Sequence, residues 1–411
     1  MNYLVAVDFC FLDVPGGSER VAWDIAMAAR DQGWNVAMLC VKPSLGELPG
    51  GPALQEGITV VRYEKPELAK WHPMRMRHQI EAAAAAFGQW LQETRWDVVH
   101  IHSPFTGTGV LRAAGSTVRS VYTAHSPIVR ENRINWAAQG WPGKAKLVLG
   151  LPVLTSLERK LLTRSAAIHT LSEFTRSEIN HFHGMGDRVT VIPHWCRDGF
   201  RRSCTRPEAR RLLGWQADQP IFFTLRRHEE RNGIDIAIRA IAPLASTHEW
   251  SFYVGGNGSL RPKFESLALE LGLGDRVRFT GRLTDEELLL AYQAADVFLL
   301  PTNSLECFGL IILEALACGC PVIATDAGAI PEIMKAILPD FIVPAGDPLA
   351  LREKIRDFLE NKLYVPPPEE LTAFALSKYG KPEIVPRLLG LLQPYHNEYS
   401  PGVSRSPGYE G

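Results

Sequence analysis

Two glutamates, Glu306 and Glu314, close off the segment Glu306-Cys307-Phe308-Gly309-Leu310-Ile311-Ile312-Leu313-Glu314. Seven residues lie between them, about two helical turns, which predicts that both carboxylates project from one side of a helix beginning near Gly309. The start of such a helix offers free N–H groups to a phosphate, while carboxylates accept hydrogen bonds from sugar hydroxyls. The spacing alone is commonplace and mostly means two surface acids. Phe308-Gly309-Leu310 inside it and Gly319-Cys320-Pro321-Val322 behind it make this copy specific.

A second constellation, Arg226-Arg227-His228-Glu229-Glu230-Arg231-Asn232-Gly233, follows the apolar run FFTL. Guanidinium forks at a strand end match the oxygens of a diphosphate, and the alternative is a solvated charged loop. Pro15-Gly16-Gly17-Ser18-Glu19 precedes a helical pattern and also carries two readings. Its glycines either let backbone N–H groups approach an anion, or form a tight turn in which Ser18 caps the helix. Neither this turn nor Gly255-Gly256-Asn257-Gly258 completes G-x-G-x-x-G, which disfavours a nicotinamide enzyme. His100 and His102 share one face by strand alternation, and His125 ends the next strand, so each is a candidate for substrate contact or for a structural role. As a zinc site, His100 and His102 lack nearby carboxylate or thiolate partners.

The elements that must position these groups alternate throughout the chain. Short β-branched runs at 4–9, 35–41, 59–63, 97–102, 120–125, 167–172 and 189–194 are separated by helical patterns that include 18–31 and 78–93. A second set follows at 221–226, 251–256, 276–281, 297–302, 321–326 and 341–344. Such alternation predicts an α/β chain with two doubly wound parallel sheets, residues 1–197 and 198–396. The irregular segment 126–164 is a candidate substrate loop or lid, with an amphipathic helix over 144–162.

Composition narrows the function classes. Of 411 residues 46% are hydrophobic and 22% charged, which excludes wholesale disorder and a fibrous chain. Forty-four Lys plus Arg against 45 Asp plus Glu leave a net charge of -1, giving no bulk electrostatic case for nucleic acid as a partner. Seven cysteines without a C-x-x-C pair suit a reduced, cytoplasmic setting. Asp8 and Asp13 interrupt the place where a signal peptide would keep its apolar core, and no apolar run approaches the ~18 residues that cross a bilayer. Residues 397–411, rich in Ser, Pro and Gly, are expected to be disordered.

The motifs taken together resemble the retaining glycosyltransferases of family 4, which have the GT-B fold of two Rossmann-like domains facing a central cleft. The resemblance runs in order from Gly16-Gly17-Ser18-Glu19 through DVVHIHS, TAHSP, LSEFTRSEI, VIPH, the arginine loop, YVGGNGSL, FTGRLTDEEL and AADVFLLPT to ECFGLIILEALACGCPVIAT. It implies that Glu314 binds the ribose of a nucleotide and Glu306 the transferred sugar. It also implies that backbone amides of Phe308, Gly309, Leu310 and Ile311 hold sugar and diphosphate. The base would lie near Arg282 and Leu283. Arg226 and Arg231 would grip the diphosphate, with Gly255 on the donor side and Gly16 and Gly17 closing from the first domain. His125, Arg226 and Glu306 would carry the catalysis. Two departures stand out: Asn232 occupies a position where relatives commonly have lysine, and the frequent I-P-N-G turn reads Ile192-Pro193-His194-Trp195.

What the resemblance implies is transfer of a hexose of the Glc or GlcNAc type, with retention, from a UDP-linked donor to a hydroxyl of a small-molecule, glycan or lipid-linked acceptor. No covalent nucleophile is assigned and no cofactor is expected beyond the nucleotide sugar; metal independence is expected because the chain has no Asp-x-Asp and arginines can neutralise the diphosphate. An epimerase or phosphorylase is disfavoured by the intact glutamate block and the absence of a cofactor-lysine signature. The different-class alternative is a degenerate protein that binds a nucleotide sugar or a partner without transfer; the presence of Glu306, Glu314, Arg226 and His125 weighs against it. A peripheral membrane contact would use the basic stretch 68–80.

Overall fold

The computed structural model describes residues 1–394 except 45–47, 49, 66–73, 116–117, 138–139 and 217. The tail 397–411 and the first part of the basic stretch, 68–73, lie outside the described residues. Strands β1 (Asn2–Ala6), β2 (Asn35–Val41), β3 (Gly51–Gln55), β4 (Ile58–Tyr63), β5 (Val98–Ile101), β6 (Arg119–Thr123), β7 (Ala167–Thr170) and β8 (Val189–Val191) form one sheet in the order β3-β4-β2-β1-β5-β6-β7-β8. Strands β9 (Ile221–Leu225), β10 (Ser251–Gly255), β11 (Val277–Gly281), β12 (Val297–Leu300), β13 (Val322–Thr325) and β14 (Ile342–Val343) form the second, ordered β11-β10-β9-β12-β13-β14. Every pair is parallel except β3 with β4. Helices cover both faces of such sheets, which is why the strands read as continuous apolar runs.

Two elements depart from the pattern read in the sequence. β3 escapes that reading because Gly51 and Pro52 disguise it, yet an edge strand tolerates proline. It joins β4 through the two-residue turn Glu56-Gly57, both at positive φ (46° and 79°), the geometry whose twist suits a hairpin. The helix expected over 144–162 is two helices, Gly140–Leu149 and Leu151–Arg164, meeting at Gly150. Pro152 cannot donate to the carbonyl one turn back, so the chain breaks there.

Both sheets reverse their winding at one place, between β1 and β5 and between β9 and β12. Such switch points leave a crevice at the C-terminal strand ends. The loops after β1, β6, β9 and β12 carry Gly16 and Gly17, His125, Arg226 and Arg231, and Glu306, so the topology delivers these candidates to one cleft. The helix Lys381–Leu392 returns to the first domain, where the Leu391 carbonyl accepts from Arg119 Nη2 at 3.1 Å. Among the described residues no helix is long and apolar enough to cross a membrane, and all seven cysteines are free thiols.

The loop after β1 is anchored by charge. Arg62 on β4, 2% exposed, donates through Nε and Nη2 to Asp13 at 2.7 and 2.8 Å, fixing the chain just ahead of Gly16 and Gly17. Removing one partner of so buried a pair strands the other charge, so Asp13→Ala is expected to lose ~3–5 kcal/mol of unfolding free energy. Urea denaturation measures it, and a loss below about 1 kcal/mol would mean that water reaches Arg62 as readily as Asp13 does.

Candidate active site

A cavity of about 490 Å³ lies between the domains. Gly16 and Gly17 reach it from the loop after β1, His125 from the end of β6, Arg226 and Arg231 from the loop after β9, and Glu306, Phe308, Gly309, Leu310 and Ile311 from the loop after β12. Gly17 begins the helix Gly17–Asp31, and a Cβ there would meet nothing within 4 Å, so its bare backbone borders open space. Ser18 does not cap this helix: the N-cap is Gly16, and the Ser18 hydroxyl donates to Glu19 instead, at 2.8 Å.

Arg226 organises the second-domain wall. Nη1 donates to Glu306 at 3.0 Å, and Nη2 donates to Asn232 Oδ1 at 2.8 Å and to Thr302 Oγ1 at 3.1 Å. Asn232, at the departure from the family pattern, is buried and donates in turn to the Arg227 carbonyl at 2.6 Å, so its amide orients the guanidinium. Arg231 stands between Glu229 and Glu131, each at 3.4 Å, and Glu131 belongs to the first domain. Glu131 was not singled out in the sequence, although it lies in the irregular segment that was.

The two glutamates do not share a helix face. Gly309 takes φ 101°, a left-handed conformation, and starts the helix at Leu310, so only Glu314 is helical. Glu306 precedes the helix, in a turn where Leu305 has φ 59°, an uncommon conformation for a non-glycine residue. First-turn amides of Leu310 and Ile311 border the cavity and have no acceptor within their helix. Glu314 lies to one side, accepting from Tyr292 Oη at 3.1 Å with Arg197 at 3.8 Å. Burial pushes its carboxyl up to about 7 despite the opposing pull of Arg197 and Tyr292.

His125 borders the cavity, and burial drives its ring down to about 3, so it stays neutral at ordinary pH. His102 and His100 lie behind it, fully inside the domain. Cys307 also borders the cavity, but burial raises its thiol to about 12, which leaves no thiolate nucleophile. Gly255 reaches the site only through its carbonyl, which accepts from the Arg226 amide at 3.2 Å. Arg282 is exposed and Leu283 half-buried, and neither borders the cavity. Arg197, which follows the V-I-P-H turn with no pattern to mark it, faces Glu314.

The domains are tied across this cleft. Ser172 donates to the Cys307 carbonyl at 2.6 Å, and the Glu332 carboxylate accepts from the amides of Glu173 and Phe174 at 2.9 and 2.7 Å, sealing the first turn of the helix Glu173–His183.

Two doubly wound domains, facing each other across a cleft lined by arginines, helix amides and carboxylates, make up the GT-B architecture of glycosyltransferases. Residues 15–196 match the family described as Glycosyltransferase Family 4, and residues 205–377 match Glycosyl transferases group 1. The chain belongs to this family of GT-B glycosyltransferases and is an enzyme of that class. It is 27% identical over 364 residues to a D-inositol 3-phosphate glycosyltransferase of Acidothermus cellulolyticus, covering 84% of this chain and 79% of that one. It is 30% identical over 215 residues to a 2-deoxystreptamine glucosyltransferase of Streptomyces kanamyceticus, covering 51% and 55%. The Anabaena protein HepE, solved in complex with UDP and glucose, shares the fold at TM-score 0.74 and 17% identity over 95% of this chain and 98% of that one.

The raised Glu314 carboxyl predicts a pH-dependent stability. Its folded value, about 7, exceeds the ordinary 4.5, so the folded state holds a proton that the unfolded chain has released. That contribution is complete below about pH 4.5 and is lost as pH rises to 7. Glu314→Gln removes the ionisation, so it is expected to be neutral at pH 4.5 and to gain about 3 kcal/mol over the parent at pH 8. Melting curves at the two pH values check this, and a variant less stable at pH 8 would show that Arg197 fully compensates the charge.

Proposed function

We propose that the protein transfers a hexose from a nucleotide diphosphate sugar, UDP-linked, to a hydroxyl of a small polyhydroxylated acceptor, with retention of anomeric configuration and without a metal ion. The observation that carries this reading is the grouping of Arg226, Arg231, Gly17 and the first-turn amides of Leu310 and Ile311 around one cavity, with Glu306 among them. Guanidiniums and helix amides stabilise the charge that grows on a leaving diphosphate. In this reading Glu306, which accepts from Arg226, takes the transferred sugar, and Glu314, set to one side, takes the ribose. A protein of the same fold is known in complex with UDP and glucose, which supports the donor. Inositol phosphate and 2-deoxystreptamine, named for two relatives, are both polyhydroxylated six-membered carbocycles, which supports a cyclitol acceptor.

In this mechanism Arg226 serves the leaving group while the acceptor hydroxyl attacks from the same face. No side chain is assigned as a covalent nucleophile. Incubation with UDP-glucose and UDP-N-acetylglucosamine and a panel of cyclitols, in EDTA, tests the reading directly. With the best pair, Arg226→Ala is expected to lose ~2–4 kcal/mol of transition-state stabilisation, roughly 30- to 1000-fold in kcat/KM. Arg231→Ala is expected to cost less, since Arg231 is already shared with two carboxylates. Greater damage from Arg231 would move the leaving-group role to it, and activity restored only by Mn²⁺ or Mg²⁺ would overturn the metal-free step.

A lipid-linked acceptor is the second reading, and one surface favours it. A groove of about 750 Å³ on the first domain has an apolar floor that includes Ile80, Leu111 and Leu157, and a rim of Arg77, Arg112, Lys160 and Arg164. In the helix that precedes the groove's Pro152 and Val153 in the chain, Trp141, Val148 and Leu149 are 80%, 71% and 75% exposed. Exposed apolar tips among cations suit an anionic lipid surface. The protein is then expected to sediment with phosphatidylglycerol vesicles and not with phosphatidylcholine vesicles, and the combined change Val148→Ser with Leu149→Ser should release it.

A further inference from the structure

Behind His125 runs an unbroken chain of buried polar groups. His125 Nε2 lies 2.7 Å from His102 Nδ1, and His102 Nε2 lies 3.2 Å from His100 Nδ1, which also meets the Tyr3 hydroxyl at 2.7 Å. His100 Nε2 lies 2.6 Å from Thr123 Oγ1, which lies 2.8 Å from His169 Nδ1. His169 Nε2 ends the chain, 2.8 Å from the Ile192 carbonyl. Tyr3, His100, Thr123 and His169 are wholly buried and His102 nearly so.

That carbonyl sets the polarity of every link. It can only accept, so His169 carries its proton on Nε2 and presents a lone pair at Nδ1. Thr123 must donate to that lone pair, and therefore accepts from His100 Nε2–H. His100 Nδ1 is then a lone pair, which receives the Tyr3 hydroxyl proton and, at longer range, His102 Nε2–H. His102 Nδ1 becomes the acceptor for His125 Nε2–H. The reverse arrangement at His102 would set two lone pairs against each other at 3.2 Å and leave a buried acceptor unsatisfied. Burial keeps the rings neutral: His169 falls to about 4, His125 to about 3, and His100 and His102 well below the usual range.

We propose that this chain holds His125 in the Nε2–H tautomer, so that its Nδ1 lone pair accepts a hydrogen bond from a hydroxyl of the donor sugar or of the acceptor alcohol. His102, His100, Thr123 and His169 are positioning residues that act through it. The ring takes no part as acid or base. The inference rests on the proposed transfer for its ligand, but the tautomer is a property of the protein without substrate.

Two measurements test it. Long-range ¹H–¹⁵N spectra of histidine-labelled protein should show His125 protonated at Nε2, unprotonated at Nδ1, and unchanged from pH 5 to 8; an Nδ1–H form or a titration in that range overturns the proposal whatever the substrate. Kinetics supply the second test. His102→Asn, which keeps an acceptor near the Nδ1 position, should retain activity within a few-fold and the flat pH profile. His102→Leu should lose tenfold or more in kcat with a mixed tautomer at His125, and Thr123→Val, a near-isosteric change, should mix the tautomers in the same way. Donors and acceptors with single hydroxyls replaced by fluorine, which accepts but cannot donate, locate the partner. One such analogue should lose about tenfold with the parent enzyme and nothing further with His125→Phe. Coupling in the donor series assigns the sugar, coupling in the acceptor series assigns the alcohol, and coupling in neither overturns the ligand role while leaving the tautomer to the spectra.

Discussion

Arg226 holds a full positive charge at the end of a buried strand with only 12% of its side chain exposed, and the surrounding loops are built to tolerate it. A guanidinium so placed needs fixed acceptors, and two loops supply three of them: Glu306 and Thr302 from the segment after β12 and Asn232 from the loop after β9. The requirement reaches further than the pair itself. Asn232 must keep its amide aligned, so it is anchored on the Arg227 carbonyl, and the turn at Leu305 must aim Glu306 inward, so it adopts a left-handed backbone.

The parallel sheets make this arrangement available. Their strands point C-terminal ends toward the cleft, and the reversal of winding between β9 and β12 leaves room for two loops to meet there without a covering helix. The same reversal between β1 and β5 places the glycine loop and the histidine strand opposite. Interdomain bonds from Ser172 and Glu332 then bring the two crevices together. Glu332 does for the helix Glu173–His183 what an anion does at any helix start, and it does so from the other domain.

Strand positions were legible because fully buried parallel strands have to be apolar on both faces, so runs such as NVAMLCV stand out. β3, half-buried and carrying proline, had no such signature. The spacing of Glu306 and Glu314 identified the motif but misjudged its shape, because helical periodicity was extended back across Gly309, whose left-handed conformation is what ends the loop. Alternation put His100 and His102 on one face correctly. Their partners were out of reach, since Thr123 and His169 meet only through the register of β6 against β7, and register depends on packing across sequence distances of more than forty residues. Asn232 was visible only as a departure; its part in orienting Arg226 required the geometry.

Charge balance in the cleft bears on how closure and recognition are linked. Arg231 is bound by Glu229 from its own domain and by Glu131 from the other, so it is at once a cation facing the cavity and a tie between domains. An anionic ligand that takes Arg231 competes with Glu131 and weakens that tie, whereas one that takes Arg226 competes with Glu306 inside a single domain. The ties through Ser172 and Glu332 involve neither arginine, so they persist in both cases. A ligand can favour the closed cleft only through contacts it makes better there than in an open one. Contacts to Gly17 and His125, which lie across from the arginines, meet that condition, and contacts to Arg231 meet it only after the loss of Glu131 is subtracted. Lysine at position 232 would have added a cation on the same wall without addressing this balance. Asparagine instead fixes the direction of Arg226, and Glu131 remains the carboxylate through which Arg231 ties the two domains.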